Sequence, residues 1–315
     1  MSGLTVVRPG LLTSVQDLGR WGAQGLGVPV GGPMDVYAHR LANVLVDNDA
    51  DAATLEITLI GPELHCERDV VVAITGAVFD VFLDEAVAPL GLTFRARAGQ
   101  RLRFGRRRVG ARAYLAVAGG IAVPPVAGSR ATNVAAGMGG HDGRALKAGD
   151  RLPVGEPGPG ASRERRGAGF TLPAGKAVVR VMPGPQEDQF SPGALETLCR
   201  EVFRVSPRSN RMGYRLEGPP IGVVPDLPEP ISEPVPMGAI QVPPAGDVIL
   251  LMADRQTHGG YAKLATAISA DLWLAGQLAP GDQLSFRACA RDEAWSALVQ
   301  RERQLLHVVE RGPLP

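Results

Sequence analysis

The chain has 315 residues, more than one hydrophobic core of usual size holds, so two domains or one internally duplicated domain are expected. Its 33 Lys and Arg against 32 Asp and Glu leave a formal net charge of +1, which excludes the strongly basic balance of a nucleic-acid binder. Cys66, Cys199 and Cys289 form no Cys-x-x-Cys pair and lie far apart, so neither a disulfide framework nor a zinc knuckle is indicated and buried thiols are expected.

In chain order, the first helical signal is Asp35 followed by VYAHRLANVLV, whose apolar residues at 37, 38, 41, 44 and 45 share one face, with Asp35 placed as an N-cap. Short β-branched runs then recur at Val70 to Thr75, Val78 to Leu83, Leu92 to Arg97 and Tyr114 to Ala118. In the third, Leu92, Phe94 and Ala96 alternate with Thr93, Arg95 and Arg97, the period of a strand with one buried face. The basic run Arg101, Arg103, Arg106, Arg107, Arg108 and Arg112 has no aromatic platform beside it and reads as the decoration of a strand edge. Residues 156–175, rich in Gly, Pro and Arg, have almost nothing to bury and read as a linker between halves at 1–155 and 176–315.

The second half opens with a strand at Val178 to Met182 and a helix after Ser191-Pro192, a cap followed by proline. Val248 to Met252 is another strand. A last helix, from Arg291 to near Gly312, is expected to bury a stripe of Trp295, Leu298, Val299, Leu306 and Val309. Three segments share one pattern: AGQRLRF from Ala98, AGDRLPV from Ala148 and PGDQLSF from Pro280, each a Gly turn leading into an apolar strand. With many turns and short strands, the fold class expected is mainly β, a β-rich α+β chain built of related barrels.

Common catalytic devices are missing. The stretch from Gly169 to Ala177 has one residue too many for a phosphate-binding loop and Ala177 where a hydroxyl should ligate magnesium. GLGVPVGG from Gly25 follows no clear strand and opens no helix where a dinucleotide loop would. The five histidines lack metal-ligand spacing, so no metal is expected, and no Gly-x-Ser-x-Gly elbow is present. No apolar run reaches the ~18 residues of a membrane span, and the first residues lack a signal-peptide pattern, so a cytoplasmic location without a membrane partner is expected.

The stretch from Arg8, RPGLLTSVQDLGRWGAQGLGVPVGGPMD, with LANVLVDN and LEITLIGP after it, closely resembles the opening of the 5-oxoprolinase C-subunit or KipA family, also called allophanate hydrolase subunit 2. The resemblance continues through SRATNVAAGMGGHDGRALKAGD from Ser129, VMPGPQEDQF from Val181, SPRSNRMGYRLEGP from Ser206 and ISEPVPMGAIQVPPAGDVILLMADRQTHGGY from Ile231. It implies a cyclophilin-like β-barrel architecture with two pseudo-duplicated halves, homologous to the carboxyltransferase part of urea carboxylase. It also implies ATP-dependent opening of 5-oxoproline to glutamate with two companion subunits, one KipI-like and one of LamB/YcsF type. ATP is used by the complex, its site not assignable to this chain, and little activity is expected of the chain alone. No Met-Lys-Met biotin acceptor is present, so any biotin arrives on another chain. Biotin-dependent carboxyl transfer to urea or a related amide, and KipA-type regulation of a kinase inhibitor, stand as alternatives. Asp47 occupies a position where the family usually has Gly, Pro33 one where Ala is commoner, Pro234 one where Gly is commoner, and His258 a usual Thr.

A lactam is unreactive, and opening it calls for activation of the carbonyl or stabilisation of an oxyanion, which Arg and amide side chains suit. Asp17, Arg20, Arg211 and Gln256 are therefore the expected catalytic residues. Gln16, Gly31, Gly32, Asp35, Tyr214, Thr257 and His258 are expected to bind substrate. Two corners, Arg20-Trp21-Gly22 and Arg211-Met212-Gly213, are expected to bring the halves' arginines to one cleft. Structural readings compete: Asp35 as an N-cap, Asp17 as the partner of Arg20, Tyr214 as core packing, and the glycines as carriers of positive φ.

Overall fold

The computed structural model describes residues 2–161, 171–225 and 230–311. Internal contacts divide the chain into two units, one of Met1–Arg20, Gly31–Leu172 and Glu302–Pro315, the other of Trp21–Val30 and Pro173–Arg301. The expected linker lies partly outside the described residues, at 162–170. Its earlier part is tied down, since Gly160 N donates to Asp47 Oδ2 at 2.9 Å.

The first unit contains β1 (Ser2–Arg8), β2 (Leu12–Gln16), α1 (Val36–Leu45), β3 (Thr54–Thr58), β4 (Glu63–Cys66), β5 (Val70–Leu83), β6 (Ala86–Val87), β7 (Thr93–Ala96), β8 (Arg101–Val117) and β9 (Arg151–Pro153). These strands form a nine-stranded sheet in the order β2-β3-β8-β4-β1-β9, with β5 joining β6, β7 and β8. Period-two alternation sends Val72, Ile74, Leu55, Ile57, Leu102 and Leu115 into one apolar core. The two runs expected at 70–75 and 78–83 are one strand, whose register with β8 shifts beyond Gly76, at φ +78°. Helix α1 lies against β5 and β8 and buries Tyr37, Ala38, Leu41 and Leu45 of the face its spacing predicts, while Val44 is half-buried and Ala42 is buried beside them.

The second unit contains β10 (Lys176–Pro183), α2 (Ala194–Arg200), β11 (Val202–Val205), β12 (Gly213–Glu217), β13 (Glu233–Pro234), β14 (Ala239–Val242), β15 (Val248–Leu251), β16 (His258–Gly259), β17 (Ala262–Ala267), α3 (Leu272–Gly276) and β18 (Gln283–Ala288). Seven of its strands close a barrel in the order β10-β17-β14-β15-β12-β11-β18, and β13 pairs with β16 beside them. Closure leaves no unpaired edge, and the interior is filled by Val179, Val181, Phe203, Leu250, Leu284 and Phe286, all buried. Helix α4 (Arg291–Arg311) follows.

The three repeated turns share one local structure. Gly99, Gly149 and Gly281 have φ of +88°, +89° and +91°. The next side chain accepts from the backbone N–H three residues before it: Gln100 Oε1 from Arg97 at 2.8 Å, Asp150 Oδ2 from Lys147 at 2.7 Å and Asp282 Oδ2 from Ala279 at 2.8 Å. Each turn then enters a strand, β8, β9 or β18. The mainly β class and the barrel expected from the pattern are what the chain adopts.

Three local expectations are corrected. The N-cap of α2 is Gly193, at φ +79°, with no side-chain cap bond, and not Ser191. In α4 the buried residues include Ala297, Leu305 and Val308, while Trp295 and Leu306 are 66% and 55% exposed; the Val309 side chain and Gly312 lie outside the described residues. The expected stripe is rotated because the small Ala297 carries little weight in an apolar pattern. The basic run lies on β8, which pairs with β3, β4 and β5 and is not an edge. Its charges are answered across the sheet, Arg101 by Glu63 at 3.3 Å and Arg108 by Asp80 at 2.7 Å.

Candidate functional site

In the first unit the GGPMD motif leads into α1 and closes a buried polar network. Gly32 has φ +93°, and a Cβ there would lie 3.2 Å from Asp17 O, so a side chain would strain the approach of this turn to the end of β2. Asp35 Oδ1 accepts from Ala38 N at 2.8 Å, the N-cap reading of this residue. Asp35 N donates to Tyr114 Oη at 2.8 Å, and Tyr114 Oη donates to Glu56 Oε2 at 2.7 Å. The same Glu56 oxygen accepts from Met34 N at 2.9 Å, and Arg112 Nε stands 3.9 Å from Glu56 Oε1. Glu56 and Tyr114 are direct partners across β3 and β8, so the ladder itself sets their meeting.

His39, one turn into α1, is fully buried. Its Nδ1 lies 2.9 Å from Thr54 Oγ1, and its ring meets Tyr114 edge-on at 6.1 Å. Burial lowers its pKa to about 4, against the opposing charges of Asp17 and Glu56. Burial, then the charge of Glu56, pushes the Tyr114 hydroxyl well above its ordinary range.

Gln16, Asp17 and Arg20, at and after the end of β2, all hold the segment from Val126 to Thr132. Gln16 Nε2 donates to Ser14 Oγ at 3.0 Å and to Thr132 O at 3.1 Å. Asp17 Oδ1 accepts from Gly19 N at 2.9 Å and Ser129 Oγ at 2.5 Å, while Oδ2 accepts from Arg130 N. Arg20, 1% exposed, donates from Nε to Val126 O at 3.3 Å and from Nη2 to Ala131 O. Gly139 is packed so closely against this guanidinium and Ala131 O that a Cβ would collide with both. Asp17 and Arg20 thus clamp one loop from two sides through its backbone.

In the second unit Arg211 and Asp254 form a buried two-point pair, Nε to Oδ2 at 2.9 Å and Nη2 to Oδ1 at 3.0 Å. Tyr214 is 2% exposed and donates from Oη to Leu278 O at 3.3 Å, the core-packing reading of this residue. The two Arg-x-Gly corners differ locally, since Gly22 has φ +93° and Gly213 opens β12 with ordinary strand backbone.

The residues after Asp254 gather polar groups at the β13–β16 pair. Arg255 Nε donates to Val235 O at 3.0 Å, and Val235 N donates to Thr257 O at 3.1 Å. Thr257 Oγ1 lies 3.0 Å from Nδ1 of the exposed His258. Gln256 Nε2 reaches Gln241 Oε1 at 3.4 Å. Gln241 stands opposite Lys263 across β14 and β17, next to a register shift between Ile240 and Gln241. Such a bulge re-aims side chains, and here Gln241 and Lys263 are buried polar residues on two paired barrel strands. Lys263 Nζ and Gln186 Nε2 both bond Glu233 Oε1, and Lys263 N donates to Gln186 Oε1 at 3.0 Å. Lys263, followed by the Gln186 amide, draws the Glu233 carboxyl below its usual range.

Sequence reading did not single out Glu56, Tyr114, His39, Gln186, Glu233, Gln241, Arg255 or Lys263. The signal available was polarity inside strands: Glu56, Gln241 and Lys263 interrupt apolar positions of β3, β14 and β17. Among the described residues no helix is long and apolar enough to cross a membrane.

The family model of the carboxyltransferase domain, subdomain A and B, matches residues 26–288. The 5-oxoprolinase C-subunit of Escherichia coli is 41% identical over 95% of this chain and 96% of its own length. The protein of the same name from Haemophilus influenzae is 33% identical over 93% of this chain and 92% of its own. The crystal structure of the Kluyveromyces lactis urea carboxylase matches 99% of this chain with a TM-score of 0.89 at 31% identity, and this chain spans 30% of that one. By the extent of these matches, the chain belongs to the carboxyltransferase domain family, subdomains A and B.

Proposed function

We propose that this chain is the C-subunit of a cytoplasmic 5-oxoprolinase, which opens 5-oxo-L-proline to L-glutamate with ATP in a complex with two companion subunits, one KipI-like and one of LamB/YcsF type. One observation carries the reading. The Escherichia coli C-subunit matches 95% of this chain and 96% of its own length, so the likeness runs over nearly all of that subunit. Urea carboxylase, by contrast, holds the matching region as 30% of a longer chain.

Opening a lactam requires donors aimed at the oxyanion that develops on its carbonyl, preorganised before reaction. Gln256, with Gln241 and Lys263 beside it, is the set we assign to that carbonyl. Glu233 and Gln186 fix the Lys263 ammonium group through the bonds described above. Thr257 and His258 border the same stretch and contribute the contacts that select the substrate. Asp17, Arg20 and Arg211 act in this proposal as positioning residues, because their polar atoms bond protein groups. No step through ATP is assigned to this chain, for the same reason: the Arg20 and Arg211 guanidinium groups already serve carbonyls and a carboxylate.

The fold likeness to urea carboxylase favours one second reading, transfer of a carboxyl group to an amide nitrogen, with biotin carried by another chain. Glutamate formation from 5-oxoproline and ATP, measured with both companion subunits and with or without this chain, separates the two. Glutamate that requires this chain is the expected result. A folded, complete assembly that forms none sinks the proposal and turns the search to carboxyl transfer.

A further inference from the structure

Two of the three buried arginines near the motifs have their charge or donors answered by protein groups. Arg211 is held at both ends by Asp254, and Arg20 by loop carbonyls. Arg255 differs. It is 8% exposed, its Nε donates to Val235 O at 3.0 Å, and among the described residues its two Nη groups find neither a hydrogen-bond acceptor nor a carboxylate partner. Burial alone, with no compensating charge, lowers its pKa from the ordinary value. A largely buried guanidinium without a counter-charge is costly to keep even where its Nη tips reach solvent, and its flat fork matches a carboxylate in two parallel bonds.

The surroundings narrow the kind of anion. A Cβ at Gly259 would lie 2.7 Å from Gln241 Nε2, 3.1 Å from Gln256 Nε2 and 3.4 Å from Val235 Cγ1, so both amides share a corner with the residue that anchors Arg255. The bond between the amides, 3.4 Å long, is at the weak end of the range, and a ligand amide can replace it. We infer that the Nη face of Arg255 receives the free carboxylate of a small carboxylated amide whose amide group meets Gln241 and Gln256. The identity of that amide as 5-oxoproline rests on the lactam-opening reading above; urea offers no carboxylate to this site.

The test compares 5-oxoproline with 2-pyrrolidinone, the same lactam ring without the carboxylate. The chain alone and in the complete assembly is titrated with each while the Arg255 Nε–Hε signal is followed by NMR, assigned through its loss in Arg255→Gln. A saturable shift with 5-oxoproline and none with 2-pyrrolidinone at equal concentration is expected. In the assembly, Arg255→Gln should raise KM for 5-oxoproline about tenfold to a hundredfold, more than it lowers kcat, as loss of a charge-assisted two-point bond predicts. Arg255→Lys, which keeps the charge and loses the fork, should fall between, and it carries the comparison if the Gln variant fails to fold. An unchanged KM in the folded variant, or equal shifts with both lactams, overturns the inference. Glutamate formed with Arg255 indifferent removes the site and leaves the function. The shift without any glutamate removes the function and leaves the site.

Discussion

The first unit's buried acid, Glu56, accepts from Met34 N and Tyr114 Oη and has Arg112 nearby, so its charge is answered in place. The second unit's buried Arg255 has, among the described residues, one carbonyl. Both are charges inside β structure, and the difference teaches where to look for chemistry. A network that satisfies itself rigidifies a fold, whereas an unanswered charge marks a place where a ligand completes the set. The contrast can be broken by experiments on either side.

The largest effect should come from Glu56→Leu. It leaves Met34 N, Tyr114 Oη and the Arg112 charge without their common acceptor, and removing one partner of a buried ionic network costs about 3–5 kcal/mol. Denaturant unfolding should show that loss as a lower midpoint. A change below about 1 kcal/mol would mean that the network is not a closed structural element.

The next effect is a pH dependence seated in the same unit. His39 has a pKa lowered from 6.5 to about 4 by burial, so the folded state keeps it neutral where the unfolded state takes a proton. Stability is complete above pH 6.5, falls as pH drops towards about 4 and levels off below it. At about 1.4 kcal/mol per pKa unit, the full loss is about 3 kcal/mol. His39→Asn should remove this part of the slope. An identical pH profile in the variant would place the titration elsewhere.

Much of the fold was legible because it is local. The three Gly turns recur with the same side-chain-to-backbone bond, and Asp35 caps α1 through a bond that spans three residues. The site was less legible because its partnerships cross strands. Glu56 meets Tyr114 through the pairing of β3 with β8, and Glu233 meets Lys263 after the chain has made β14, β15 and β16. The arginines show the same limit: nothing in MADRQ tells that Asp254 is spent on Arg211 and that the adjacent Arg255 is left with a carbonyl. Arg20 and Arg211 look suited to substrate by residue type, and their bonds to loop carbonyls and to Asp254 become visible only in the fold.

A smaller effect sharpens the comparison within the second unit. Arg211→Lys gives up the two-point fit to Asp254 while keeping the charge, a loss of about 1–2 kcal/mol in unfolding free energy. Arg255→Lys should cost less, since only the bond to Val235 O is at stake. Equal losses at the two positions would show that Arg255 is as firmly partnered as Arg211, and the contrast drawn between them would fail.

The smallest effect concerns Asp47, where the resembling family usually has Gly. Its φ of +60° lies in the left-handed region, where a side chain costs roughly 1 kcal/mol, less for Asp than for most residues. Its carboxylate recovers about that amount by accepting from Gly160 N at 2.9 Å, a bond that also holds the chain on its way out of the first unit. Asp47→Gly relieves the backbone and deletes the bond, so unfolding free energy should move by less than about 0.5 kcal/mol. Asp47→Ala keeps the strain, deletes the bond and should cost about 1–2 kcal/mol. The two variants separate backbone from side chain: if Gly and Ala behave alike, the bond to Gly160 sets the stability at this position, and φ contributes nothing measurable.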